Sequence, residues 1–116
     1  MDGLTINEAA ETTGWSPRML RYLETVGLIE PPRNRAGYRI YGAGELQRVR
    51  TLRDLLDRHG LGPSDIAFAK RMRDETDLED AVGGWLTEKA ERPADVNASD
   101  WLDYEQQKHQ RLLAPT

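Results

Sequence analysis

Arginine and tyrosine side chains that could bind an anion are concentrated in one short stretch of the sequence. Between Trp15 and Arg50 the chain has seven arginines, no lysine and three glutamates. A planar guanidinium group forms paired hydrogen bonds with phosphate oxygens or with the edge of a guanine base. The stretch is therefore typical of a nucleic-acid-binding surface, although two solvated faces of unlike charge would give the same totals.

The net charge of −4 conceals two segments of opposite sign. Residues 1–73 hold 12 Lys/Arg and 9 Asp/Glu, a net charge of +3, whereas residues 74–116 hold 4 Lys/Arg and 11 Asp/Glu, a net charge of −7. We therefore predict a basic domain over 1–73, followed by an acidic helical region over 74–116 that serves in dimerisation or regulation.

The composition excludes several classes of protein. The sequence has no run of eighteen apolar residues and no basic segment leading into an apolar one, so we expect neither a membrane span nor a signal peptide, and a cytoplasmic location. Without cysteine there is no disulfide, thiolate metal site or thiol nucleophile. His59 and His109 lack ligand-spaced partners, and no catalytic triad or phosphate loop is present. We expect no metal, no cofactor and no enzymatic activity.

Helix start and stop signals organise the N-terminal third. Thr5 and Glu8 have the spacing of a capping box, and the helix that they begin should end near Gly14. Ser16 and Pro17 suit the N-cap and the first position of a second helix, which Gly27 should end. Two short helices around a tight turn predict a helix-turn-helix.

The next segment predicts a small β-hairpin and a long helix. After a double proline, residues 33–41 read as a hairpin with its turn at 34–37 and a strand at 38–41. An amphipathic helix should run from Glu45 to Arg58, and a fourth from Ser64 to about Arg73. Three arginines of the long helix fall outside its apolar stripe, which predicts a solvated face: Arg48, Arg50 and Arg53.

The acidic region has weaker signals. Gly83-Gly84 and Pro93 should break any long helix there, so the segments around Trp85 and Trp101 could fold back on the head, pair with a second chain or form a small pocket. Trp85, Trp101 and Tyr104, with His109, are candidates for an effector pocket. The alternative is that these aromatic residues are anchors in helix–helix contacts.

Three motifs at fixed spacing carry a resemblance to a known family. LRY at 20–22, GLIEP at 27–31 and GYRIY at 37–41 resemble the DNA-binding head of the MerR family of transcription regulators. The likeness runs from about Leu4 to Ile66. It implies a mainly α fold, a winged helix-turn-helix with a small β-hairpin wing followed by C-terminal helices.

The resemblance also implies contacts with double-stranded DNA. Arg18 would reach base edges in the major groove, and Arg21 and Tyr22 would touch phosphates or bases one turn further on. The wing arginines would neutralise phosphates, while its tyrosines pack the wing or donate a hydroxyl. Arg21 could instead pair with Glu24 or Asp57. The predicted DNA-binding set is Ser16, Pro17, Arg18, Arg21, Tyr22, Arg33, Arg35, Tyr38, Arg39 and Tyr41.

The family mechanism implies a nucleoid-associated regulator that binds a palindromic promoter site as a homodimer and, when activated, underwinds DNA for RNA polymerase. Its effector is not specified by the sequence. Two alternatives use the same head. One is an architectural or chromosome-organising DNA binder, and the other is a protein-interaction module that has lost DNA binding.

Overall fold

The computed structural model describes residues 3–62 and 68–113, including the side chains of all of these except 109–113. The fold is mainly helical, and among these residues no helix is both long and apolar enough to cross a membrane. The helices are α1 (Ile6–Thr13), α2 (Pro17–Thr25), α3 (Ala43–Arg58), α4 (Phe68–Asp74), α5 (Thr76–Thr87) and α6 (Trp101–Leu113), with a short 3₁₀ helix at Ala98–Asp100.

The capping signals define the helix-turn-helix as predicted. The Thr5 hydroxyl accepts a hydrogen bond from the Glu8 amide at 3.2 Å, and the Glu8 carboxylate accepts one from the Thr5 amide at 3.0 Å. Gly14 ends α1 with φ +82°, a conformation that favours glycine. The Ser16 hydroxyl then caps α2 by accepting from the Met19 amide at 3.1 Å. The starts of α1 and α2 are therefore determined by hydrogen bonds between residues that are close in sequence.

Helix α3 lies at the centre of the core. Leu46, Val49, Leu52 and Leu56 on this helix are buried, and α1, α5 and α6 all pack against it. The Trp15 indole N–H donates to the Val49 carbonyl at 2.7 Å, which ties the turn of the helix-turn-helix to α3. Helix α2 packs on α1, which packs in turn on α3, so α3 supports α2 through α1 and Trp15.

The acidic region folds back on the head, one of the three arrangements that the sequence left open. Leu78, Val82 and Trp85 of α5 are buried in the same cluster as the head residues. The Gln47 side chain and the Glu91 backbone exchange two hydrogen bonds of 2.6 and 2.7 Å, which anchors the α5–α6 connection to α3. The two segments of opposite charge thus share one hydrophobic core.

The predicted break at Gly83-Gly84 is wrong, because α5 continues through both glycines to Thr87. Two glycines cost a helix about 1 kcal/mol each relative to alanine. The burial of Leu78, Val82 and Trp85 offsets this cost. The chain does leave the helix before Pro93, so α5 and α6 are separate elements.

The predicted β-hairpin strand at 38–41 is not formed, and the described residues contain isolated bridges in place of strands. Arg33 and Arg39 form one antiparallel bridge, whereas Tyr41 pairs with Leu4. Pro32 has no N–H to give to a ladder, and the Asn34 side chain takes two amides of the turn. The segment is therefore a braced loop, and we call residues 33–41 the wing loop.

Arg50 does not lie on a solvated face, contrary to the sequence prediction. Its side chain is 9% exposed, and its two terminal nitrogens donate to the carboxylate and the carbonyl of Glu105, both at 2.6 Å. Glu105 is completely buried. The helical periodicity of α3 predicts a single apolar stripe. A helix that is packed on several sides also buries polar residues outside that stripe, and such residues need hydrogen-bond or ionic partners.

Arg48 and Arg53 are likewise not free surface residues. The Arg48 guanidinium lies 4.0 Å from the centre of the Trp85 ring and donates to the Trp85 carbonyl at 2.7 Å. Arg53 is buried over the Trp15 ring at 4.6 Å and donates to Asp57 and to the Leu61 carbonyl. Burial lowers the pKa of Arg48 from its usual value. These arginines hold the fold together.

The described part of the fourth helix is Phe68–Asp74, which ends close to the predicted position. The predicted start at Ser64 lies outside the described residues. Phe68 is buried and meets the ring of Tyr22 edge-on, with ring centres 6.0 Å apart. This contact supports the back of α2 behind its exposed face.

Candidate nucleic-acid interface

Helix α2 presents two arginines to solvent. Arg18 and Arg21 are both exposed and one turn apart, so they lie on the same side of the helix. Within the described residues, neither of the two side chains forms a hydrogen bond or an ion pair. The predicted alternative, a pair between Arg21 and Glu24 or Asp57, is not formed, because those carboxylates bind other arginines. Both guanidinium groups are therefore available to a ligand.

The other predicted α2 residues support the helix. Ser16 and Pro17 are half-buried at its start, where the Ser16 hydroxyl is already engaged as the cap. Tyr22 is half-buried against Phe68, so one edge of its ring packs inward. These three residues position Arg18 and Arg21 relative to the core.

The tip of the wing loop is shaped by one asparagine. The Asn34 side-chain oxygen accepts from the amides of Ala36 at 2.9 Å and Tyr38 at 3.0 Å. Gly37 has φ +87°, which allows the chain to reverse. This turn holds Arg35 in solvent and leaves Tyr38 70% exposed. Both side chains can reach a ligand that lies along the loop.

A groove of about 550 Å³ joins α1, α2 and the wing loop. Arg21 of α2 and Arg39 and Tyr38 of the wing loop line it together, and the N-terminal end of α1 forms another wall. Guanidinium groups, a phenol and a helix N-terminus all favour phosphate oxygens. The complete lining is Thr5, Ile6, Asn7, Arg21, Asn34, Gly37, Tyr38, Arg39 and Ile40.

Two wing arginines share one carboxylate of α2. Glu24 binds Arg33 at 2.8 Å and the Nε of Arg39 at 2.5 Å, one oxygen to each. These ion pairs fasten the wing loop to the helix that carries Arg18 and Arg21. The predicted contact residues of helix and loop therefore belong to one connected unit.

Tyr41 is removed from the predicted interface by burial. Its side chain is completely buried in the core, and its hydroxyl has no hydrogen-bond partner among the described residues. Burial first, and then the nearby Glu24 carboxylate, raise the pKa of Tyr41 to about 12. Tyr41 therefore packs the loop against the core, which was the alternative role for the wing tyrosines.

This burial predicts a loss of stability in alkali. A tyrosine whose folded pKa is raised from 10 to about 12 stabilises the fold fully below pH 10, and that contribution of roughly 3 kcal/mol is lost as the pH rises through 12. Tyr41→Phe should show a smaller fall in the free energy of unfolding over this range, measured by urea denaturation. Tyr38→Phe, at an exposed position, is the control and should follow the wild type. Parallel curves for wild type and Tyr41→Phe would contradict this account.

Among the described residues, the three aromatic residues predicted to line an effector pocket lie in different surroundings. Trp85 is buried and donates its indole N–H to Arg48 and Thr51, beside a cavity of about 160 Å³. Trp101 donates to the Glu105 carboxylate at 3.0 Å. Tyr104 lines a separate cavity of about 460 Å³ between α3 and α6. Trp85 joins α5 to α3 through its hydrogen bonds to Arg48 and Thr51, which is the role that the alternative interpretation gave to the aromatic residues.

Metal binding finds no support in the described geometry. Over residues 3–62 and 68–113, no group of three or more His, Asp or Glu side chains is arranged to hold an ion. His59 follows the last turn of α3, and the side chain of His109 lies outside the description.

Comparison with known proteins identifies the family. A family profile described as MerR HTH family regulatory protein matches residues 4–71, more than half of the chain. The chain belongs to the MerR family. The matched segment contains α1, α2, the wing loop and α3 together with most of α4, so it covers the whole candidate interface.

Curated relatives are similar over the head or somewhat beyond it. The heavy metal-dependent transcription regulator 2 of Rhizobium meliloti is 40% identical over 55 residues, 47% of this chain and 37% of that protein. An uncharacterised HTH-type transcriptional regulator of Pseudomonas aeruginosa is 32% identical over 99 residues, 82% of this chain and 62% of that protein. One from Synechocystis is 31% identical over 88 residues. The chain spans less than two thirds of the length of these relatives.

Sequence reasoning missed two residues of this MerR-type head. The sequence predicts Glu24 only as a partner for Arg21, although it is the one carboxylate on α2, a helix with two arginines. The sequence predicts the turn at 34–37 but not the two side-chain hydrogen bonds of Asn34. An asparagine three residues before a glycine is a recognisable signal for such a turn.

Proposed function

We propose that this chain is the DNA-binding part of a MerR-type transcription regulator. The observation that carries the proposal is the exposure of Arg18 and Arg21 on α2, without internal partners among the described residues, beside a groove that Arg39 and Tyr38 line from the wing loop. A helix with free arginines fits the major groove of DNA, and the adjacent loop then meets the phosphate backbone.

The two arginines of α2 have different roles in this proposal. Arg18 lies near the start of the helix, where residues of a recognition helix reach base edges, and it lies outside the groove lining. Arg21 faces the groove with Arg39 and would bind backbone phosphates. Phosphate contacts position the protein, whereas contacts with base edges select the sequence.

The whole regulator would bind a palindromic promoter site as a homodimer, in contact with RNA polymerase. Support comes from membership of the family and from the curated relatives, which are named transcription regulators. One of those relatives, from Rhizobium meliloti, is named as heavy metal-dependent. These 116 residues contain no cysteine and can supply no thiolate, so we do not extend soft-metal sensing to this chain.

Selection of bound duplexes from a random pool tests the proposal, with the mass of the complex measured in parallel. We expect one symmetric sequence bound by two copies of the chain. Length-dependent loading on any sequence would indicate an architectural DNA binder instead. Absence of binding at low salt would contradict the proposal and favour a protein-interaction module.

A further inference from the structure

The ion pairs of Glu24 use the nitrogens of Arg33 and Arg39 differently. Arg33 donates one terminal nitrogen to Glu24 at 2.8 Å and the other to the Gly37 carbonyl at 2.8 Å. Arg39 donates only its Nε to Glu24, at 2.5 Å. Its two terminal nitrogens therefore have no hydrogen-bond partner among the described residues.

Arg33 and Arg39 also differ in their position relative to the groove. Arg39 lines the groove that also holds Arg21 and Tyr38, whereas Arg33 is not part of that lining. Arg33 and Arg39 share the single carboxylate of Glu24, so two positive charges meet one negative charge. The cluster of these three residues therefore has a net charge of +1. That charge lies where Arg39 can present a pair of N–H groups to an anion.

We propose that Glu24 is a positioning residue that divides the wing arginines into a brace, Arg33, and a phosphate ligand, Arg39. A carboxylate held on the Nε edge fixes the plane of the Arg39 guanidinium and leaves its terminal edge for two phosphate oxygens, a bidentate geometry. Arg33 meanwhile ties the wing turn to α2 through Gly37 and Glu24. The phosphate role rests on the proposed function, while the brace does not.

A carboxylate on a surface that meets DNA repels the phosphates, which is unfavourable unless the carboxylate also orders the side chains that bind them. In this cluster, Glu24 neutralises the arginine that is used internally. It also prevents Arg33 and Arg39 from acting as two unspecific cations. The position of the loop relative to α2 then depends on Glu24.

Comparison of Arg33→Ala and Arg39→Ala tests the division directly. Each neutralised phosphate contributes about 0.9 to the slope of log K against log salt. Arg39→Ala should flatten this slope by about 0.9 for each bound copy and weaken binding roughly tenfold or more at low salt. Arg33→Ala should leave the slope unchanged. Equal flattening by the two variants would overturn the division.

Glu24→Gln tests whether Glu24 acts as the counter-ion of the wing arginines. The control is Glu30→Gln, which makes the same change of charge elsewhere. Loss of the carboxylate frees Arg33, so we expect tighter binding to a random-sequence duplex and a salt slope steeper by up to about 0.9 for each copy. Glu30→Gln removes one charge from an exposed position between α2 and the wing loop, outside the cluster of Glu24, Arg33 and Arg39, and should leave the slope unchanged. If Glu24→Gln matches Glu30→Gln, Glu24 has no positioning role.

A measurement without DNA separates this inference from the proposed function. In the free protein, the Nε–H of Arg39 should give a protected side-chain NMR signal that Glu24→Gln abolishes and Glu30→Gln retains. An unprotected signal in the wild type would overturn the positioning of Arg39 by Glu24 even if DNA binds. A protected signal in a protein that binds no duplex would support that positioning while contradicting the proposed function and the phosphate role of Arg39.

Discussion

Replacing Glu105 by alanine is expected to lower the free energy of unfolding by about 3–5 kcal/mol, the largest effect of any single change considered. Glu105 is completely buried and bonds to Arg50, whose side chain is 9% exposed. Its other oxygen accepts from the Trp101 indole at 3.0 Å. Without Glu105, a buried guanidinium loses its counter-ion in a site of low polarity. Urea denaturation followed by circular dichroism measures the loss.

Two further variants show whether the loss of stability in Glu105→Ala comes from leaving Arg50 unpaired or simply from removing a charge. Arg50→Met combined with Glu105→Leu removes both charges and should lose much less stability than Glu105→Ala, because no unpaired charge remains. Glu75→Ala breaks an i,i+4 ion pair with Arg71 at the surface and should lower the free energy of unfolding far less than Glu105→Ala does. If Glu105→Ala is as mild as Glu75→Ala, the buried pair does not join α6 to α3.

Replacing Arg18 by alanine is expected to remove about 1–3 kcal/mol of the preference for the selected DNA sequence over others. Arg18 is exposed on α2, forms no ion pair within the described residues and lies outside the groove. Its fork of donors suits the O6 and N7 acceptors of guanine. Competition between the selected duplex and duplexes with single substitutions measures this preference, and the loss should be confined to a few base pairs in each half-site.

The matched control for Arg18→Ala is Arg58→Ala. Arg58 is an exposed arginine in the last turn of α3, so its replacement removes the same charge away from the candidate interface. It should leave the base preference intact. If the two variants change the preference equally, Arg18 acts through its charge alone and does not read bases.

The local features of the head could be predicted from the sequence because they depend on neighbouring residues. The capping box at Thr5 and Glu8, the Ser16-Pro17 helix start and the glycine after α1 were all confirmed. The exposed positions of Arg18 and Arg21 follow from the helical period once the start of α2 is known.

Features that depend on distant parts of the chain could not be predicted in this way. The partner of Arg50 is 55 residues away, and the period of α3 alone placed Arg50 in solvent. The chain leaves the wing loop by pairing Tyr41 with Leu4, a residue 37 positions earlier that the hairpin pattern of 33–41 does not include. Gly83 and Gly84 remain helical because α5 packs against α3. Helix propensity, on which the predicted break was based, does not include such packing.

The most direct test of the central claim compares Arg18→Ala and Arg39→Ala on the same two duplexes, one selected and one unrelated, across a range of salt concentrations. We expect Arg39→Ala to weaken binding to both duplexes alike and to flatten the salt slope by about 0.9 for each copy. Arg18→Ala should reduce the preference between them, with a smaller change in slope. If the two substitutions had the same effect on preference and on slope, the proposed separation of base reading on α2 from phosphate binding on the wing loop would be contradicted.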